Sequence, residues 1–299
     1  MNKRRNIYRG INKRRNNVAK GAVLGLAIIG IVGGAIYLKN SDFSLYDKIK
    51  DLSLFNKASL EIQEFTYDDI EKKDNKDQEE KNSTVVKNED SKLATVENWD
   101  LYSIQIAAID NQEELKKIDN KLKEMDIPFS IIEIDKVKKV QTYASFKEEE
   151  SRKYLEQVKA EFPDAFISKL EVPLLSLQYT DKYSYVEDIC NELNNLITNF
   201  KEESGFWDKN EGNIDQSEYK NIINSRMDIL SKLEKQAKKI DYKGMDGFKE
   251  NLLNYTKSVR DKSEESLKLS QENKNNISKS LFMSSMQGYY NFVNSIKTI

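Results

Sequence analysis

The 299-residue chain contains no histidine and a single cysteine, Cys190. Histidine is the usual general base of nucleophilic triads and the commonest ligand of catalytic zinc, so its absence disfavours both kinds of site. A lone cysteine cannot close an intramolecular disulfide. Because Cys190 lies on an apolar helical face, we predict that it is a small core residue.

Proline is also scarce, and its placement divides the chain. The three prolines, Pro128, Pro163 and Pro173, lie in one segment, and none follows residue 173. We therefore expect the fold class to change near residue 174.

No net charge of either sign stands out, since 48 basic residues nearly balance 50 acidic ones. A global electrostatic attraction to nucleic acid is thus not expected. The sequence has no glycine-rich phosphate loop, metal-ligand cluster or nucleophile elbow. These absences predict a protein that is not an enzyme, has no cofactor or metal, and does not bind nucleic acid.

The basic residues that do cluster precede an uncharged apolar segment at residues 21–38. As a helix at ~1.5 Å per residue, this segment spans about 27 Å, close to the hydrocarbon thickness of a bilayer. We predict a single transmembrane helix there, after a cytoplasmic basic arm at residues 1–20. Because the first acidic residue is Asp42, the positive-inside rule places everything beyond the helix outside the cytoplasm.

A cleaved signal peptide is the alternative interpretation of the same segment. Gly33 and Ala35 are small residues of the kind that a signal peptidase accepts. The apolar run is longer than the usual core of a signal peptide, which favours an uncleaved anchor. The expected location is therefore the cell membrane, with one membrane pass.

After the anchor we predict a juxtamembrane stem at residues 39–66 and a disordered linker at residues 67–97. Apolar residues at helical spacing in the stem fit either an amphipathic helix near the headgroups or a plain connection. The linker is dominated by charged and amide side chains, which cannot bury enough apolar surface to fold. Its reach of roughly 30 Å can hold the following domain away from the bilayer.

Residues 98–173 alternate strand and helix patterns in the order βαββαβ. This order predicts an α+β domain with a four-stranded antiparallel sheet and both helices on one face, the ferredoxin-like arrangement. The other face is expected to stay open for binding. The predicted strands are 101–109, 129–134, 139–145 and 165–172, and the predicted helices are 112–125 and 147–162.

Two of these strands resemble the motifs of SPOR domains. Residues 102–109, YSIQIAAI, resemble the opening strand of that family, and residues 139–146, KVQTYASF, resemble its third strand with one extra residue. Ala107 and Ala144 stand where the family has glycine, and Ile109 replaces a final aromatic residue. The resemblance implies binding to peptidoglycan glycan strands without stem peptides, as occur at division septa.

The succession of anchor, linker and distal domain is also similar to that of stage II sporulation protein B-like proteins of endospore-forming bacteria. A division or sporulation septum is therefore the expected place of action.

Alternate residues of a strand point to opposite faces of its sheet. If Tyr102, Ile104 and Ile106 face the helices, Ser103 and Gln105 face the open side. A glutamine there offers two donors and an acceptor to sugar hydroxyls and N-acetyl groups. Without a ligand, Gln105 would be an ordinary exposed polar residue.

On the third strand, Val140 and Thr142 directed inward leave Lys139, Gln141 and Tyr143 outward, with Tyr143 as a platform for a sugar ring. The extra residue could instead be a bulge that turns Val140 and Thr142 outward. Tyr143 would be a packing residue if no glycan binds. The predicted glycan-binding residues are Ser103, Gln105, Lys139, Gln141 and Tyr143.

Residues 180–299 carry four stretches of apolar residues at spacings of three and four, which predict a bundle of three or four helices. Gly205, Phe206 and Trp207, in a predicted loop, are either an exposed anchor for a partner or a staple that caps the bundle. The bundle's partner protein is unknown. The alternative function is therefore a protein-interaction module of a septal or engulfment complex without glycan binding.

Overall fold

The computed structural model describes residues 91–134, 137–210 and 214–296. They form an α+β structure in which two antiparallel sheets precede a helical region. The predicted arm, transmembrane helix and stem, and most of the linker, lie outside the described residues. No helix in the described part of the chain combines the length and the apolarity needed to cross a bilayer.

The elements follow one another in two groups, first strands with short helices and then long helices. The strands are β1 Lys92–Val96, β2 Trp99–Ile109, β3 Phe129–Ile134, β4 Val137–Ser145, β5 Phe166–Val172 and β6 Leu175–Tyr179. The α-helices are α1 Gln112–Glu124, α2 Glu148–Arg152, α3 Leu155–Glu161, α4 Tyr185–Lys209, α5 Gln216–Ala237, α6 Asp246–Gln271 and α7 Asn275–Asn294.

The predicted βαββαβ order is confirmed from β2 to β5. These strands form one antiparallel sheet in the order β3-β4-β2-β5. The second predicted helix is divided into α2 and α3. At the division the N–H of Tyr154 donates to the carbonyl of Ser151, three residues back, which is a tighter turn than that of an α-helix.

Helix α1 begins where the sequence supplies a cap. The Asn111 side chain accepts a hydrogen bond from the N–H of Glu113 at 2.8 Å. Leu115 and Leu122 are then buried in the same core cluster as Ile104 of β2. Helix α1 therefore covers the sheet face to which Ile104 points.

Strands β1 and β6 were not predicted, and they lengthen the β2–β5 pair. The pairing of β1 with β6 ends at Val96↔Leu175, and the pairing of β2 with β5 begins at Trp99↔Val172 in the same register. Pro173 lies in the gap between the two ladders and has no N–H for a ladder bond. The prediction that the disordered linker extends to residue 97 is therefore wrong for β1, which belongs to the fold.

Helix α4 fastens this extension to the helical region. The side chain of Asn194 accepts from the N–H of Glu97 at 2.9 Å and donates to the carbonyl of Thr95 at 3.0 Å. Ala94 and Val96 of β1 lie in one core with the apolar side of α4. The two-stranded sheet thus joins the four-stranded sheet to the bundle.

The predicted helical bundle is confirmed, with four α-helices, α4 to α7, among the described residues. Cys190 is buried in its core, as predicted. The loop predicted at Gly205 is wrong, because α4 continues to Lys209. Phe206 and Trp207 are buried and pack on Tyr219 of α5, with ring centroids 5.2 and 4.9 Å away, so they act as a staple within the bundle.

The expectation that one sheet face stays open is wrong, because the bundle covers it. The N–H of Phe129 in β3 donates to Ser280 of α7 at 3.0 Å, and the Trp99 ring lies 5.7 Å from that of Tyr289. The physical reason is that half of this face is apolar and needs cover. Its buried apolar residues share one core with the bundle: Trp99, Leu101, Ile132, Leu170 and Val172.

Candidate ligand site between the sheet and the bundle

The two site residues predicted on β2 have the predicted orientation but not the predicted exposure. Ile104 and Ile106 pack with α1, so Ser103 and Gln105 point to the opposite face. On that face Ser103 is 1% exposed and Gln105 is 8% exposed. Neither residue presents an open surface.

The β4 residues Lys139 and Gln141 share this covered face. Gln141 is 1% exposed, and its Oε1 accepts a hydrogen bond from Nε2 of Gln287 in α7 at 2.8 Å. Lys139 is half-buried and lies opposite Ile132, a residue of the shared core. The structure therefore brings four of the five predicted residues together, but under the bundle, where a glycan strand cannot reach Ser103 or Gln141.

The polar part of this interface is incompletely hydrogen-bonded. Gln287 Oε1 and Ser130 Oγ are buried, and they meet no hydrogen-bond partner among the described residues. Ser130 lies opposite Gln141 in the β3–β4 ladder. Because a buried polar group without a partner costs about 1–3 kcal/mol, this part stabilises the interface less than its apolar part does.

Tyr143, the fifth predicted residue, lies in a β-bulge. Its φ is 49°, in the left-handed region. The β2–β4 register shifts there, between Ile104↔Thr142 and Tyr102↔Ser145. The extra residue of the third-strand motif is therefore a bulge, although it does not turn Val140 and Thr142 outward, since Thr142 pairs with Ile104.

The bulge redirects Tyr143 and leaves Val140 in place. Val140 stays in the core with α1, as predicted. The Tyr143 ring packs on the same core and stacks on Tyr154, with centroids 4.0 Å apart and planes 4° apart. The prediction that Tyr143 shares a face with Gln141 is therefore wrong, because the bulge changes the alternation of the strand.

A groove lies beside the bulge, between the sheet and the bundle. Four aromatic side chains contribute to its walls: Tyr143 and Tyr154 from the sheet side, Trp207 from α4 and Phe282 from α7. The cavity is partly open to solvent and has a volume of about 40 Å³. Pro128, Phe282 and Met283 form an apolar part of the same cavity.

The polar groups of the groove form a short chain. Ser145 Oγ lies 3.2 Å from Ser204 Oγ and also donates to Oδ2 of Asp208 at 3.5 Å. Glu150 lines the same groove. Lys279 Nζ lies 5.4 Å from the centre of the Trp207 ring. Hydroxyls, carboxylates and an ammonium therefore surround the aromatic walls.

A buried ion pair in the bundle core holds the Trp207 ring in position. Its indole N–H donates to Oε1 of Glu203 at 3.0 Å. Glu203 Oε2 lies 2.5 Å from Nη2 of Arg226, and both side chains are almost completely buried. Asn199 accepts from Nε of Arg226 at 2.7 Å, and Tyr219 donates to Glu203 at 2.9 Å. One wall of the groove is thus part of the bundle core.

Asp208 is held in an unfavourable environment for a carboxylate. Its pKa is raised to about 6, mainly by burial and in addition by the nearby charge of Glu150, against smaller opposing effects of Lys147, Lys153 and Ser145. A carboxyl group that is destabilised in its charged form within a cavity is a candidate for a functional site.

We expect Asp208→Asn to stabilise the fold at neutral pH. Because the folded-state pKa is raised above its ordinary value, the wild-type protein loses stability as the pH rises from about 4 to about 6. Asp208 is only half-buried, so the gain for the variant at pH 7 is on the order of 1 kcal/mol, and it vanishes near pH 3.5. Urea unfolding at several pH values measures this difference. The exposed residue Asp228, replaced by Asn, is the control, and an equal gain in that variant would contradict the assignment.

Sequence analysis missed Tyr154, Glu150 and Asp208 as site residues. Glu150 belongs to an acidic run that is typical of a solvated helix end. A usable signal was present on α4, because Ser204 and Asp208 are four residues apart and so share one helix face, next to Trp207.

Comparison with protein-family models, with curated proteins and with solved structures found no match. Within the described residues no group of cysteine and acidic side chains is arranged to hold a metal ion.

Proposed function

We propose that this chain is a membrane-anchored, non-enzymatic protein whose extracytoplasmic part binds peptidoglycan glycan strands at a division or sporulation septum. The apolar segment and its basic flank support the anchor and its orientation. The SPOR-like motifs in β2 and β4 support the class of ligand. The binding site in this proposal is the groove beside Tyr143, since the sheet face is covered.

The observation that carries the proposal is the convergence of Tyr143, Tyr154 and Trp207 on Ser145 and Asp208 in one groove. Aromatic rings offer apolar surface to the C–H groups of a sugar ring, and the half-buried Tyr143 and Tyr154 expose more of it than Trp207, which is 6% exposed. Hydroxyl and carboxylate oxygens accept hydrogen bonds from sugar hydroxyls. A linear glycan bears both kinds of surface on every unit.

Tyr154→Ala is expected to weaken binding to purified sacculi about fivefold, the equivalent of ~1 kcal/mol for one aromatic contact. Binding of the full-length protein in detergent is measured by cosedimentation, before and after amidase removes the stem peptides. The wild type is expected to bind more after amidase treatment.

Phe166→Ala is the matched control. Phe166 is 51% exposed and lies opposite Gln105 at the margin of the covered face. A loss in this variant but not in Tyr154→Ala would place the glycan on the sheet face. Absence of binding to either preparation would refute glycan binding, and steady release of reducing ends would refute a non-enzymatic role.

A second candidate function, docking of a protein partner without glycan binding, is favoured by the outer face of the β1–β6 pair. Leu93 of β1 is 66% exposed, and Leu174, which directly precedes β6, is 48% exposed; both lie outside the core, at opposite ends of the pair. Each is a large apolar side chain in water that a partner could cover. A Leu93→Glu, Leu174→Glu variant that binds sacculi normally but no longer concentrates at septa would support this function.

A further inference from the structure

We infer that the floor of the groove is a subsite for the acetamido group of an N-acetylhexosamine, so that the ligand is N-acetylated rather than de-N-acetylated glycan. The inference rests on the proposed function and specifies its ligand.

The cavity is small and partly open to solvent. Its volume is about 40 Å³, whereas one water-sized group needs roughly 10–15 Å³ on the same measure. An acetamido group has three heavy atoms beyond its nitrogen, a carbonyl carbon, its oxygen and a methyl group, and so matches this volume. The opening leaves room for the sugar ring against the aromatic walls.

The lining of the cavity suits a methyl group. Pro128, Phe282 and Met283 are apolar, and the last two are almost completely buried. A methyl group placed against them loses contact with water and gains van der Waals contacts. An ammonium in the same place would be desolvated without compensation from this side.

The polar side of the cavity matches the two hydrogen-bonding groups of an amide. Asp208 accepts from Ser145 at 3.5 Å, and a carboxylate has about four acceptor positions, so it can also accept from an amide N–H. Lys279 lines the same cavity, and its ammonium group can donate a hydrogen bond to the carbonyl oxygen.

The local charge is mixed. Glu150 forms an ion pair with Lys153. Lys147 and Lys153 also act on Asp208, and Lys279 contributes a further positive charge to the groove. These lysines offset only part of the negative charge of Glu150 and Asp208, so the preference for a neutral amide rests on the apolar lining and not on charge.

The test compares the hexamer of N-acetylglucosamine with its fully de-N-acetylated counterpart, by isothermal titration of the full-length protein in detergent at pH 7.5. We expect the N-acetylated hexamer to bind at least about tenfold more tightly. Asp208→Ala is expected to lower the affinity for the N-acetylated hexamer about tenfold. Asp208→Asn is expected to retain most of it, since an amide oxygen still accepts a hydrogen bond.

A fluorescence measurement locates the ligand. The chain has two tryptophans, so the Trp99→Phe variant leaves Trp207 as the only indole. The N-acetylated hexamer is expected to change its emission, and binding without any such change would overturn the subsite.

The outcomes separate this inference from the proposed function. Equal affinity for the two hexamers, lost in Tyr154→Ala, would refute the acetamido subsite and leave glycan binding in the groove intact. Binding of sacculi but of neither hexamer would also refute the subsite. If neither hexamers nor sacculi bind, the proposed function itself fails.

Discussion

Arg226→Met is expected to lower the free energy of unfolding by about 3–5 kcal/mol, because it leaves the carboxylate of Glu203 buried without a cation. Glu203 is 0% exposed and cannot be reached by water in the folded state. Trp207 and Tyr219 each donate one hydrogen bond to it, but neither carries a compensating charge. The loss is measured by urea unfolding of residues 91–299.

Two further variants test this explanation. Arg260→Met removes a more exposed cation, 3.7 Å from Glu234, and is expected to cost less than about 1 kcal/mol. The double variant Arg226→Met, Glu203→Met is expected to recover part of the lost stability, since it removes the uncompensated charge but leaves the Trp207 N–H and the Asn199 Oδ1 without the partners that the ion pair gives them. A loss in Arg226→Met as small as that in Arg260→Met would contradict the role assigned to the pair.

We expect residues 91–179, expressed without the bundle, not to fold. Five large apolar side chains of the sheet that share the bundle core would then face water. At about 1.5–3 kcal/mol each, their exposure costs on the order of 10 kcal/mol, comparable with the whole stability of a typical domain. Circular dichroism and urea unfolding measure the outcome, with residues 91–299 as the folded reference.

The opposite outcome would change the location of the site. Cooperative unfolding of residues 91–179 would show that the sheet is stable with one face open. Ser103, Gln105 and Gln141 would then be accessible whenever the bundle separates from the sheet, and the sheet face would compete with the groove as the place for glycan.

The elements that sequence analysis predicted well are those whose signals are local. Helix α1 follows the cap residue Asn111, and β3 was predicted at residues 129–134, where the structure has it. The long helices of the bundle repeat apolar residues at helical spacing, and each buries that face. In these cases sequence pattern and tertiary packing require the same residues.

The elements that were missed depend on distant partners. Strands β1 and β6 have five residues each, and each is recognisable only by its pairing with the other. The orientation of Ser103 and Gln105 was correct because alternation is a local rule. Their burial was not predicted, because it is decided by Trp99 and Leu101 earlier in the strand, which require the bundle as a cover.

The position of the bulge is a third case. The family motif has glycine where this chain has Ala144, but the left-handed φ belongs to Tyr143. A tyrosine in that conformation costs of order 1–3 kcal/mol, so the surrounding contacts must hold it there. The stack on Tyr154 is such a contact, and a strand pattern alone gives no sign of it.

The continuous register of β1 and β2 has a mechanical consequence. If the chain is held at the membrane before residue 91 and at the wall through the groove, tension enters the fold along β1. The residue pairs that join β1 to β6, from Lys92↔Tyr179 to Val96↔Leu175, then resist in shear, all together and not one after another. The five-residue strand β1, which follows the predicted linker, would then bear the force between membrane and wall.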